Sequence, residues 1–376
     1  MTLDDLPTPA LVLDRGKLQR NARRLSERIP RGVRLRPHFK TAKSIEVARI
    51  ASHGRPMAAT VSTLKEAEHL HSHGVTDITY AVGVAPQKLP RAADLVRAGC
   101  DLKLIADDAE VAATISSTAA SLGVAFGVYA EVDVDRHRAG VTPLCETLPR
   151  IAEALADRPG SRFMGVLTHA GESYGCTDEE SLRAAAEEER AGAVAAAERL
   201  GKAGFTCPEV SVGSSPTALH AESFNGVTEV RAGVYLMWDL VQSNLGLCPL
   251  EDIAVSVLGT VIGQQRDRGW LILDAGGHAL SKDRGTAAQA KDYLFGQVTS
   301  LSGEPIPGWL VSKANQEHGI VESFGATPID FNRYPIGSRL RILPNHACAT
   351  SACHDRYAVV DGDQQVLAKW PRINGW

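Results

Sequence analysis

The 376-residue chain has no run of apolar residues approaching the roughly 18–20 needed to cross a bilayer. It has no basic block or arginine-rich stripe either, and 40 basic side chains against 44 acidic ones give a formal charge of −4. Nucleic acid is therefore not an expected partner. The first residues, Met1-Thr2-Leu3-Asp4-Asp5, are acidic and lack the apolar stretch of a signal peptide, so a cytoplasmic protein is expected. Cysteine makes no frame. The seven (Cys100, Cys145, Cys176, Cys207, Cys248, Cys348, Cys353) are odd in number and scattered, which reads as reduced thiols. Internal repeats and low-complexity tails are also missing, and the alanine richness of 184–197 is ordinary helix composition.

What is present is an alternation of short apolar strands and helical patterns. A first strand covers 7–14, and further strands are expected at 33–40, 57–63, 77–82, 102–107, 125–133, 163–170, 209–215 and 229–237. Helices fall between them, among others at 43–52, 64–72, 108–121, 144–156 and 180–203. Eight strand–helix units over about 200 residues point to an α/β fold, a (β/α)8 TIM barrel, with an open doubly wound sheet as the alternative. After Leu250 the texture changes to strand-like runs (254–263, 270–274, 308–311, 339–343, 357–360) separated by Gly, Pro and Asp. The expected organisation is a barrel over 13–245 and an all-β domain over 246–376, joined by residues 1–12.

Polar residues gather at the carboxyl ends of the expected strands: Lys40, Ser62-Thr63, Asp107, Asp133, His169, Gly213-Ser214-Ser215 and Arg231-Ala232-Gly233. That rim is where a barrel builds its site. Arg36-Pro37-His38-Phe39-Lys40-Thr41-Ala42-Lys43 puts an amine at a strand end, and Arg34, Arg36, His38 and Lys43 are candidate cationic neighbours able to lower its pKa. Gly213-Ser214-Ser215-Pro216-Thr217 opens a helix with small residues and hydroxyls, suited to a phosphate, and Arg231-Ala232-Gly233-Val234 adds a second glycine turn. His346-Ala347-Cys348 offers imidazole and thiolate to one ion, with His354 and Asp355 as further candidates. Each signal also has a plain reading. These are a solvated basic strand end, an ordinary turn, a buried cysteine beside a hydrogen-bonded histidine, a surface ion-pair cluster for Arg138, and a core histidine for His169.

Taken together, the motifs resemble the fold-type III pyridoxal phosphate enzymes of the alanine racemase-like superfamily, within them the D-serine dehydratase and D-threonine aldolase group. The likeness runs end to end. It covers Thr8–Asp14, Arg36-Pro37-His38-x-Lys40, Val61–Glu68, Thr168-His169-Ala170-Gly171-x-Ser173-Tyr174 and Gly213–Thr217. It continues through Glu229–Tyr235, Asp274-Ala275-Gly276, Asn315–Gly319 and Pro344–Cys348.

The resemblance implies that Lys40 holds pyridoxal 5'-phosphate as an internal Schiff base and serves as the catalytic base. It puts Arg138 on the phenolic oxygen, His169 against the ring and Arg231 at the pyridine nitrogen. Tyr174, Ser214, Ser215, Gly233 and Val234 would hold the phosphate, and His346 and Cys348 a divalent metal (Zn, or Mg/Mn/Co). The implied activity is dehydration of D-3-hydroxy amino acids such as D-threo-3-hydroxyaspartate and D-serine to a 2-keto acid and ammonia. The alternatives are an aldolase giving glycine and an aldehyde, and a non-catalytic cofactor carrier. A homodimer is implied, with Lys282 and Arg284 as guesses for a substrate carboxylate. Three positions depart from the group: Ala42 stands where many relatives have histidine, Glu172 replaces His or Asn, and Ser215 replaces threonine.

Overall fold

A computed structural model describes residues 1–376. The chain divides into two compact units, Arg24–Gly233 with Gly375–Trp376, and Met1–Arg23 with Val234–Asn374. Strand β1 (Ala10–Asp14) leads into helix α1 (Arg15–Arg28). Strand–helix alternation then runs through β2 (Arg34–Leu35), α2 (Ile45–Ser52), β3 (Ala58–Val61), α3 (Leu64–Ser72), β4 (Asp77–Tyr80) and α4 (Leu89–Arg97). It continues with β5 (Asp101–Ala106), α5 (Ala109–Ser121), β6 (Phe126–Val132), α6 (Thr147–Leu155), β7 (Ser161–Thr168) and α7 (Glu179–Lys202). The series closes with β8 (Glu209–Val212), α8 (Ser215–His220) and β9 (Glu229–Val230).

Strands β2 to β9 form one parallel sheet in the order β2-β9-β8-β7-β6-β5-β4-β3. The ring is completed by the parallel bridge between His38 and Thr60, where Phe39 N–H donates to Thr60 O at 2.9 Å and Thr60 N–H to Pro37 O at 2.9 Å. This is the TIM-like barrel, and the open sheet is ruled out by that closure. All seven residues of β6 are buried, as expected for a parallel strand covered on both faces.

The long strands expected at 33–40 and 229–237 are shorter than the sequence pattern suggests. Backbone bonds toward β9 continue past Leu35, from Arg36 N–H to Val230 O at 2.9 Å and from His38 N–H to Ala232 O at 2.8 Å. Pro37 has no N–H to give, so pairing toward β3 is reduced to the bridge at His38 and Thr60. Past Val230 the chain leaves strand geometry and tightens into a single 3-10 turn, Val234–Leu236.

The second unit is built on a nine-stranded sheet. Its further strands are β10 (Val255–Gln265), β11 (Trp270–Leu273), β12 (Gln297–Thr299), β13 (Pro305–Ala314), β14 (Gly319–Ser323), β15 (Arg339–Leu343), β16 (Arg356–Val360) and β17 (Ala368–Pro371). Strand β1 lies between β10, to which it is antiparallel, and β16, to which it is parallel. Leu3, Leu6, Val12, Leu258, Ala358 and Val360 form one buried cluster there. The sequence pattern misses β12, β14 and β17, which are short or partly exposed and so carry little apolar periodicity. No helix is long and apolar enough to cross a membrane.

The barrel interior is charged where most barrels are aliphatic. Arg36, fully buried, donates to Glu229 at 2.7 Å and grips both oxygens of Asp77 at 2.7 and 3.0 Å. Lys103 bridges Asp77 and Asp101 at 2.6 Å each. Truncation of Arg36 leaves Glu229, 1% exposed, facing the interior without its closest counter-charge. The Arg36→Ala protein is therefore expected to lose about 3–5 kcal/mol of stability in chemical denaturation. A neutral result would mean that Arg34, 3.6 Å from Glu229, takes over the charge.

Candidate active site

Lys40 comes just after the strand segment that closes the barrel. Its N–H donates to Nδ1 of His38 at 3.3 Å, so the ring of that histidine folds back under the lysine's backbone. The structure corrects the proposed cationic surroundings. Arg36 is spent on Glu229 and Asp77, Arg34 reaches Asp77, Glu209 and Glu229, and Lys43 makes a 2.8 Å ion pair with buried Glu66. The charges that do act together at this rim are Lys40, Arg138 and Arg231. Burial and these three charges push the proton of His38 off well below the usual histidine range.

His169, at the end of β7, is governed the same way. Burial first, then Lys40, Arg138 and Arg231, push its pKa down to about 3 against the help of a hydrogen bond to Gly213. The ring is neutral above acid pH, and its Nδ1–H donates to Gly213 O at 2.8 Å. Tyr174, on the 3-10 turn Glu172–Gly175, has its ring 6.3 Å from that of His169 at a 45° tilt. Arg138 sits exposed on the loop after β6.

The small-residue turn after β8 is held by its own side chains. Ser214 Oγ accepts the N–H of Thr217 at 3.2 Å and meets Ser173 Oγ at 2.9 Å, while Ser214 N–H donates to Thr217 Oγ1 at 3.1 Å. This is a reciprocal cap on α8. Both polar groups of Ser214 are thus engaged in shaping the turn. Gly213 has φ +142°, and a Cβ there would lie 1.8 Å from Arg231 O, so only glycine fits. A Cβ on Gly233 would press on His38 O at 2.7 Å. Ser215, like Ser214, is buried, and Val234 opens the 3-10 turn after Gly233.

Arg231 is 5% exposed. It donates to Ser211 Oγ at 2.6 Å and to Thr168 O, and Ser211 Oγ in turn donates to Glu229 at 2.7 Å. Burial lowers its pKa, and Glu229 is the strongest of the acids that oppose this. Glu229 and Glu189, both buried in the barrel unit, belong to the site's support and were not singled out from sequence.

In the other unit, His346 precedes a short helix, Ala347–Ala352, that carries Cys348. His346 Nδ1 lies 2.7 Å from Asp283 Oδ2. Burial opposes a charged ring there, but the hydrogen bond and charge of Cys348, with Asp239 and Asp283, push the pKa up to about 10. Asp239, itself raised to about 6 chiefly by burial, accepts the N–H of Ala347 at 2.8 Å and of Gln242 at 3.0 Å. Asp239 and Asp283 are the residues that sequence reading missed here, because both are distant in the chain.

The additional candidates are engaged elsewhere: His354 binds Ala279 O at 2.9 Å and Asp355 pairs with Arg356 at 2.6 Å. No group of three His, Cys, Asp or Glu side chains is arranged to hold a metal ion, and His346 and Cys348 are joined by a side-chain hydrogen bond. Arg284 pairs with Asp292 at 2.6 Å and lies over Phe295 at 5.1 Å.

The family model "Alanine racemase, N-terminal domain" matches residues 13–240, well over half of the chain. The chain belongs to this family. A second model, "Putative serine dehydratase domain", matches residues 254–360 of this alanine racemase-family chain. The chain is 52% identical to the D-threo-3-hydroxyaspartate dehydratase of Delftia sp. (strain HT23), over 100% of this chain and 99% of the relative. It is 30% identical to the D-serine dehydratase of Dictyostelium discoideum, over 100% of this chain and 98% of the relative. Among solved structures, a cysteine-to-alanine variant of a D-threo-3-hydroxyaspartate dehydratase in the metal-free form matches with TM-score 0.96 and 50% identity, covering 100% of both chains.

Proposed function

We propose that this protein is a pyridoxal 5'-phosphate- and divalent-metal-dependent dehydratase. It removes water from D-3-hydroxy amino acids, D-threo-3-hydroxyaspartate and D-serine among them, and yields a 2-keto acid and ammonia. The observation that carries the reading is an end-to-end likeness at 52% identity to a dehydratase, in a chain that keeps an imidazole and a thiol two residues apart. In this reading residues 13–245 bind the cofactor and 246–376, joined by 1–12, carry the metal.

The barrel-mouth residues fit a cofactor with a phosphate and a phenolate. Lys40, Arg138 and Arg231 bring three positive charges to one rim, the two histidines there are neutral, and a helix start with buried hydroxyls lies beside them. When bound, the cofactor supplies an electron sink for Cα–H cleavage, and a divalent cation supplies a Lewis acid for the departing hydroxyl.

The chain supplies the rest. Lys40 Nζ takes the proton from Cα, and Lys43, held by Glu66, does not compete for it. With the cofactor bound, Arg138 would hold its phenolic oxygen and neutral His169 would support its ring. Arg231, held by Ser211 and Thr168, would serve the pyridine nitrogen, which a guanidinium would keep unprotonated. Tyr174, Ser214, Ser215, Gly233 and Val234 would hold the phosphate, with Ser214 also shaping the turn.

His346, its Nδ1 held by Asp283, and Cys348, hydrogen-bonded to it, would supply an imidazole and a thiolate to the metal. That donor pair suits zinc, with Mg, Mn or Co as the other candidates. All seven cysteines are free, which suits a reducing compartment such as the cytoplasm, and the resemblance adds a homodimer.

The test is product analysis with pyridoxal phosphate, a divalent metal and D-threo-3-hydroxyaspartate, D-serine or D-threonine supplied separately. Keto acid plus ammonia is expected. Glycine plus an aldehyde would replace this reading with the aldolase.

A further inference from the structure

Helix α7 buries Leu182, Ala186, Glu189, Ala193, Ala196 and Leu200, a seam in steps of three and four residues. Five members are apolar. Glu189, 2% exposed, is the exception. A carboxyl group in such a place is costly unless hydrogen bonds replace its water.

Those bonds are present and come from the rim. Glu189 Oε1 accepts the N–H of Ala170 at 3.0 Å and the N–H of Gly213 at 2.9 Å, and Oε2 accepts the hydroxyl of Thr217 at 2.6 Å. One side chain therefore ties together the turn after β7 and the turn after β8. The Gly213 peptide is held at both ends, by Glu189 at its N–H and by His169 Nδ1 at its carbonyl. Ala170 is the residue next to His169, so Glu189 constrains that imidazole from its backbone and from its ring. Through Thr217 it also holds the cap in which Ser214 sets the turn.

We propose that Glu189 is a positioning residue that fixes the plane of the His169 ring and the shape of the phosphate-binding turn by clamping Ala170, Gly213 and Thr217 at one point. This rests on the reading above, in which His169 and that turn face the cofactor. Glu189 itself touches neither cofactor nor substrate. Reach and acceptor geometry matter here. A glutamine keeps the reach and the acceptor oxygen for the two N–H groups. At Thr217 the bond reverses, the amide N–H donating to Oγ1 and the hydroxyl turning to Ser214 Oγ, 3.0 Å away. An aspartate keeps the charge but is one methylene too short.

The experiment compares the full-length protein with E189Q and E189D, using pyridoxal 5'-phosphate as the probe. E189Q is expected to bind it within about threefold of the parent, and E189D about tenfold or more weakly, the effect of losing hydrogen bonds to a buried acceptor. The circular dichroism of the bound cofactor's visible band, which reports ring orientation, should weaken in E189D and persist in E189Q. In the cofactor-free protein, amide hydrogen exchange in peptides covering Ala170 and Gly213 should speed up in E189D alone.

An E189D protein that matches the parent in all three readouts overturns the proposal. So does an E189Q protein as impaired as E189D, which would make charge the operative property. An E189D protein that loses its global fold overturns it too, since Glu189 would then be a determinant of the barrel at large. If the parent protein takes up no pyridoxal phosphate, the functional reading fails, while the exchange data still decide whether Glu189 holds the two turns.

Discussion

Lys40→Ala is expected to reduce keto-acid formation by at least about a thousandfold, since in the proposed mechanism it removes both the covalent attachment of the cofactor and the base at Cα. The absorbance of the lysine-bound cofactor should vanish with it. Stability should change little, because Lys40 is only partly buried and its side chain sits at the rim rather than in the charged interior. Neighbouring Lys43 is a poor substitute: its amine is 2.8 Å from a Glu66 carboxylate that also takes the hydroxyls of Ser62 and Thr63. A variant that keeps more than a tenth of the parent rate would assign the proton transfer to another group. The measurement is steady-state product formation beside an absorbance spectrum and a thermal unfolding curve.

Removal of the metal should have an effect of similar size. Exhaustive chelation, or His346→Ala, is expected to lower turnover about a hundred- to a thousandfold, the several kcal/mol that a Lewis acid contributes at a poor leaving group. Uptake of pyridoxal phosphate, assigned to the barrel residues, should be unchanged. Readdition of zinc, manganese, cobalt or magnesium to the chelated parent would rank the ions, and none should rescue His346→Ala fully. Full turnover in a rigorously metal-free sample would remove the metal from the mechanism and return His346 and Cys348 to a structural role.

The two expected losses differ in their spectra. Lys40→Ala should change the cofactor's absorbance, and His346→Ala should leave it intact. A protein that lost both activity and absorbance on chelation would instead have a metal that supports the fold.

Much of the candidate site was legible because its residues lie in short contiguous motifs at strand ends. Lys40 follows a strand, His169 ends one, and Gly213–Thr217 joins a strand to a helix start, so period and punctuation alone put them on a common rim. Helix α3 and strand β6 also fell where their patterns predicted. The misses have a common cause. Asp283 is 63 residues from His346 and Glu189 is 24 from Gly213, and no local pattern reports a partner at that distance. Glu189 is hidden further by its surroundings, since an acidic residue in an alanine-rich helix looks like solvated surface until the packing face is known. Arg36 was misassigned for the converse reason. It is near Lys40 in sequence, but its guanidinium is turned into the barrel toward Glu229 and Asp77.

The sequence by itself determined the parallel barrel followed by β structure and the polar residues at its strand ends, because periodicity and turn chemistry are local properties of the chain. How His346 and Cys348 are presented was decided by the helix Ala347–Ala352, which carries the thiol. Tertiary structure decided how those groups are tuned. It committed Lys43 to Glu66, buried His38 and His169 so that burial first, and then Lys40, Arg138 and Arg231, strip them of their protons, and made Glu189 the tie between two turns. Burial and charge act through space and not along the chain, so the protonation and aim of each group follow only from which distant residues the fold brings into contact.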